Sequence, residues 1–229
     1  MRYHPLAFAA VFLCASAGAA TFDIPTLSAE YGARIEVKTC DADTCSGPAK
    51  VTLYRRADKG AAQTFETEDM QIMLDRAKPV VNDSRLYEDQ SALIAGDFNF
   101  DGSTDLAIRN GNNSGYGGPS YDVYVYNVTR RKFVPAPDLT DLASTKLGMF
   151  QVDAKRKRLV TMEKDGCCWH LISEYAVVPG KGLITVHTVE ENARTVEDHV
   201  VVTISDLAGG KWKRSKKTYL IKDYYKDDK

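Results

Sequence analysis

Helical periodicity is scarce in this chain, and so are the marks of the common enzyme classes. No glycine-rich phosphate loop, dinucleotide fingerprint or Ser-His-Asp arrangement occurs in it. The four histidines build no zinc site, because "GCCWH" lacks a second ligand pair at usable spacing. Charge of one sign is missing too. The 30 Lys and Arg nearly balance the 31 Asp and Glu, for a net charge of −1. That excludes the basic excess expected of a protein for nucleic acid or for an anionic membrane. After the first twenty residues no apolar run is long enough to span a bilayer.

What is present begins with a leader. Arg2 and the apolar run "PLAFAAVFLCASA" precede the small residues "ASAGAA", which suit a signal-peptidase cut near Ala19 or Ala20. Residues 1–20 therefore read as a cleaved secretory signal. A lipoprotein is disfavoured because the bulky Leu13 precedes Cys14. Residues 21–229 read as one domain working outside the cytoplasm, with no long linker dividing them. Four cysteines remain there: Cys40, Cys45, Cys167 and Cys168. An even count in an exported chain reads as two disulfides, with three connectivities open. A local Cys40–Cys45 bridge is favoured and leaves Cys167 and Cys168 as a vicinal pair. The alternative staples each of that pair to the N-terminal region. "GCCWH" also invites a catalytic thiol with His170 as base, but an oxidising compartment makes a disulfide the better account.

Period two dominates the rest. "RIEVKTC", "KVTLYRR", "ALIAGDF" and "DLAIRN" alternate, and "TFETEDMQIML" alternates in part. "YDVYVYNVTRRKFVPA" reads as a hairpin, with Val123 and Val125 on one face, Tyr124 and Tyr126 on the other, and a turn near 127–131. "DLTDLASTKL" suits one or two helical turns, and a turn is expected at Gly209-Gly210. The tail "DYYKDDK" reads as a solvated end. Strands at this spacing predict an all-β fold of propeller-like, barrel or sandwich type.

One stretch is chemically pointed: "GDFNFDGSTDLAI", residues 96–108. Counting from Asp97, oxygen side chains fall at positions 1, 3, 5 and 9, as Asp97, Asn99, Asp101 and Asp105. Gly102 stands at position 6, where the chain must turn sharply, and Ser103 at position 7, where a main-chain carbonyl points inward. Hard oxygen ligands at these positions suit Ca²⁺ better than Mg²⁺ or zinc. Position 12 is Ile108 rather than glutamate, and strands replace the helices of a helix–loop–helix hand. The loop resembles the strand–loop–strand calcium sites of VCBS-like propeller repeats, in which Asp105 would ligate directly.

Together with the following "RNGNNSGYGGPSYDVYVYN", this stretch is similar to a family of bacterial periplasmic immunity proteins akin to lysozyme inhibitors. The close likeness covers residues 86–134. It implies an incomplete antiparallel β-propeller carrying one calcium loop. It also implies a protein without enzymatic activity, which blocks a peptidoglycan-hydrolase effector delivered by a secretion system; a monomer is expected. Inhibitors of this type push a Ser-Gly and a Tyr into the hydrolase cleft. The matching residues are Ser114, Gly115, Tyr116, Gly117, Gly118 and Tyr121, and the spacing leaves open whether Tyr116 or Tyr121 inserts. A calcium-dependent module for glycans or a surface protein is the competing expectation.

Overall fold

The computed structural model describes residues 18–85 and 90–226. The expected leader falls mostly on residues 1–17, outside the described part. Gly18 to Ala20, assigned to the leader by the sequence, begin the first strand. The fold is all-β, as expected, and is built from three consecutive antiparallel meanders.

The first meander runs β1 (Gly18–Ile24), β2 (Tyr31–Cys40), β3 (Thr44–Arg55), β4 (Ala61–Asp75) and β5 (Lys78–Pro79). β5 returns alongside β1, so this sheet nearly closes on itself. Its interior is filled by Ala33, Ile35 and Val37 of β2, Val51 and Leu53 of β3, and Phe65, Met70 and Ile72 of β4. The broken alternation of β4 has a local cause. Gly47 pairs with Met70 and Ala49 with Thr67, so β4 spends three steps where β3 spends two. That bulge restores Met70 and Ile72 to the face of Phe65, because one extra residue flips the side-chain parity.

The second meander is β6 (Leu93–Gly96), β7 (Asp105–Gly111), β8 (Ser120–Asn127) and β9 (Lys132–Pro135). Both of its faces are covered. Leu93, Leu106, Ile108, Phe133, Tyr124 and Tyr126 pack on the first sheet. Ile94, Ala107, Tyr121, Val123 and Val125 pack the other way. The expected split of valines and tyrosines along the hairpin is therefore observed. An aromatic cluster closes the first joint, with Tyr31 and Tyr126 each 5.3 Å from Phe133 and Phe65 4.7 Å from Tyr124. Contacts of this kind add about 0.5–1.5 kcal/mol each beyond area burial.

Helix α1 (Pro137–Thr145) occupies the segment expected to be helical and sets Leu139, Leu142 and Ala143 against the second core. Proline at its start suits a position where an amide has no helical partner. The third meander is β10 (Gln151–Asp153), β11 (Arg158–Lys164), β12 (Trp169–Val178), β13 (Gly182–Asn192), β14 (His199–Ala208) and β15 (Lys211–Leu220), followed by α2 (Ile221–Tyr224). Leu159, Tyr175, Val177 and Leu183 join it to the second core.

Each sheet-to-sheet joint carries a glutamine that bonds a backbone in both directions. Gln63 donates to the Phe133 carbonyl at 3.0 Å and accepts from its amide at 2.9 Å. Gln90 does the same to Met149, at 3.1 and 2.7 Å. A side-chain amide matches a peptide group donor for acceptor, so these buried backbone groups keep their partners where no strand reaches them.

Candidate functional site

The acidic bend joins β6 to β7 and holds itself together. Asp97 accepts the amides of Asp101 and Gly102 at 3.0 and 2.9 Å. Asn99 accepts the Asp101 amide at 3.0 Å and donates to the Asp101 carboxylate at 2.9 Å. Asp101 accepts the Ser103 amide at 2.8 Å. Gly102 sits at φ +88°, a conformation that excludes most side chains and confirms the sharp turn.

Asp105 behaves differently from its neighbours. It is fully buried, and its two oxygens accept the amides of Phe98 and Tyr126, both at 2.9 Å. Burial pushes its carboxyl up to about 6, while the two amides pull it back down. It therefore ties the start of the bend to β8. The sequence makes it a direct calcium ligand; its two oxygens each accept an amide, as both oxygens of Asp97 and of Asp101 also accept hydrogen bonds. Among the described residues no three His, Cys, Asp or Glu side chains gather as a metal site.

The glycine-rich segment after β7 folds into a tight turn. The Ser114 amide donates to the Gly118 carbonyl, the Gly117 amide to the Ser114 carbonyl and the Gly118 amide to the Gly115 carbonyl, each at 3.1 Å. The Gly115 amide donates to the Lys146 carbonyl at 2.7 Å, and a Cβ on Gly115 would stand 2.8 Å from that oxygen. Only glycine permits this approach. Tyr116 stands at the tip in a left-handed conformation, φ +59°, and is 64% exposed. Its hydroxyl accepts the Gly166 amide at 2.6 Å, and the Lys164 ammonium lies 4.8 Å from its ring centre. A left-handed tyrosine is strained, and these contacts from the third sheet hold it there.

Two expected contact residues are not at the tip. Tyr121 is fully buried in the second core and donates to the Ser91 carbonyl at 2.9 Å. Its ring belongs to the second core, so of the two tyrosines Tyr116 is the one that presents its ring to solvent. Ser114 is 7% exposed, and its hydroxyl is buried with no partner among the described residues. Its part in the turn is played by its backbone.

Tyr116 lines one cleft, and its partner Gly166 lines a second. One, of about 630 Å³, is lined by Asp83, Arg85, Gln90, Tyr116, Pro119 and Lys164 among others. The second, of about 660 Å³, is lined by Lys164, Gly166, Cys167, His170, Glu191 and Tyr224 among others. Lys164 belongs to both. The second cleft has a sheet floor: Lys164, His170 and Glu191 are paired across β11, β12 and β13, as are Met162, Ile172 and Val189.

The β11–β12 turn beneath Tyr116 carries the disulfide Cys167–Cys168, and Cys40–Cys45 closes the β2–β3 turn. Both pairs are local, so the stapling alternative is set aside. Arg194 clamps the same β11–β12 turn through Asp165 at 2.7 Å, and this ion pair holds the Asp165 carboxyl below its usual range. Trp169 donates to Glu190 at 2.8 Å, and His170 lies 3.5 Å from Glu191. Glu191 also accepts the Tyr224 and Tyr225 hydroxyls at 2.7 and 3.1 Å. The tail read as solvated is thus docked through its tyrosines as far as Tyr225. Lys164 and Gly166 were missed as supports of the loop. They lie 48 and 50 residues beyond Tyr116, and no local pattern links them.

No protein-family model matches the chain, and no curated protein matches it. A solved structure described as that of a Xanthomonas Type IV Secretion System related protein is similar to it. The TM-score is 0.62 at 21% identity, over 88% of this chain and 94% of that one. The likeness shows a shared fold.

Proposed function

We propose that the protein is a periplasmic inhibitor that occludes the cleft of a peptidoglycan hydrolase with the loop carrying Tyr116. The observation that carries this reading is the exposed ring of Tyr116, fixed in a strained conformation by Gly166 and Lys164 at the rim of a cleft. An aromatic anchor held in its bound shape loses little freedom on docking, and such anchors dominate interface energetics. The secretion-system relation of the similar structure supports the reading, as does the sequence likeness over residues 86–134. Inhibition on this account is steric and needs no turnover.

Calcium at the bend is a separate part of the proposal. Asp97, Asn99, Asp101, Asp105 and the Ser103 carbonyl would hold it, around a glycine already turned as such loops require. The inhibitor reading does not depend on it, because the bend is closed by its own hydrogen bonds.

The test is direct. The purified protein is mixed with lysozyme-type hydrolases and cell-wall substrate, and lysis is followed by turbidity. A stable complex and arrested lysis are expected with a target enzyme, and Tyr116→Ala should weaken both. Unimpeded lysis by every candidate hydrolase at molar excess of the protein overturns the reading.

A further inference from the structure

The third sheet ends in a strand, β15, that is paired on one edge only. All ten residues of β15 are exposed, and the strand is last in the sheet order, so among the described residues its outer edge has no neighbouring strand. Five of the ten are cations: Lys211, Lys213, Arg214, Lys216 and Lys217. None of their side chains has a hydrogen bond or an ion pair among the described residues. Asp206, the carboxylate opposite Lys213, is taken by His187 Nδ1 at 2.7 Å. In a chain with a net charge of −1, this is a marked local excess.

The placement of the cations narrows the partner. Successive side chains of a strand point to opposite faces. Arg214 and Lys216 therefore lie on one face, with Trp212, and Lys211, Lys213 and Lys217 on the other, with Tyr219. A flat anionic surface would reach one face and leave the other unused. A strand added along the edge would meet both, since its own side chains alternate and stand 4.5–5.5 Å, roughly, from those opposite. It would also satisfy the free amides and carbonyls of the edge.

We infer that β15 is a docking edge for an extended acidic segment of a partner protein, which adds to the sheet as a further strand. Charge complementarity supplies the attraction, and the open edge supplies the register. β15 lines neither of the two clefts, so this inference stands apart from the hydrolase reading.

The edge can be probed with two synthetic decapeptides of alternating Glu and Thr or Val, the second with two prolines at its centre. Binding is followed by the fluorescence of Trp212, which is 43% exposed, and by amide exchange of β15. The unbroken peptide is expected to bind in low salt, to lose affinity as salt screens the charges, and to protect β15 amides. The proline peptide should bind at least about tenfold more weakly, because it cannot complete the ladder. A triple variant Lys213→Gln, Lys216→Gln, Lys217→Gln should weaken the unbroken peptide by about tenfold or more with an unchanged melting curve, its positions being solvated. Equal binding of the two peptides, or tighter binding of anionic lipid vesicles than of the unbroken peptide, overturns the inference. So does a wild type that binds neither peptide while the triple variant self-associates. In that case the lysines merely guard the edge against other strands.

Discussion

The acidic bend and the tyrosine loop lie at opposite ends of β7 and are rigid for different reasons. Every hydrogen bond inside residues 97–103 spans at most five residues. Tyr116, by contrast, is held by a residue fifty positions away, on another sheet. The bend carries its own order in its sequence, whereas the loop borrows order from the fold. Asp105 marks the boundary, since it belongs to the bend by position and to the sheet by its bond to Tyr126.

The sharpest test of that boundary is Asp105→Ala. It leaves the Phe98 and Tyr126 amides without their acceptor inside the protein. At about 1–3 kcal/mol for each buried group left unpaired, the loss should reach about 3 kcal/mol or more in urea melts. Asp101→Ala, at an exposed position, should cost no more than about 1 kcal/mol. Equal losses would erase the distinction between the two carboxylates.

Next in size is the loss of the anchor. Tyr116→Ala removes an exposed ring in a strained conformation and should change stability by less than about 0.5 kcal/mol. In a complex with a target hydrolase it should cost about 2–4 kcal/mol, a loss of roughly thirtyfold to a thousandfold in affinity. Tyr121→Ala should show the reverse pattern. Its buried ring makes it worth about 3–5 kcal/mol of stability, read in the same melts.

Calcium removal probes the bend alone. With the ion at a hundred times its dissociation constant, binding would stabilise by about 2.7 kcal/mol. For a chain of this size that is on the order of 5–10 °C in the melting midpoint. Chelation should lower the midpoint of wild type and leave Asp101→Ala unmoved. A wild-type midpoint that ignores both calcium and chelator would mean that the amide bonds suffice, and the bend would be metal-free.

The same contrast explains what could be read from the sequence. The strands, the Val123–Tyr126 alternation, the turn at Gly102 and α1 depend on spacings of two to four residues, and they were legible. The two local disulfides were reachable as one of three connectivities. The docking of Tyr224 and Tyr225 on Glu191 was not, because it joins residues more than thirty apart and nothing local marks it. The choice between Tyr116 and Tyr121 was hidden for a related reason. Both lie in a polar, glycine-rich stretch, and only the strand register, with Tyr121 opposite Arg109, puts one inside and leaves the other at the tip.

The smallest effect is the most informative about borrowed order. Tyr116→Phe keeps the ring and the contact with Lys164 but removes the oxygen that accepts the Gly166 amide. Gly166 is exposed, so water replaces the lost partner and stability should fall by about 0.5 kcal/mol or less. Affinity for a target hydrolase should fall by about 1 kcal/mol, because the freed loop must be ordered again on docking. If Tyr116→Phe binds as tightly as wild type, the turn at Ser114–Gly118 fixes the ring unaided, and the loop, like the bend, carries its order locally. If it binds as poorly as Tyr116→Ala, the hydroxyl itself contacts the partner, and its bond to Gly166 is exchanged for one across the interface.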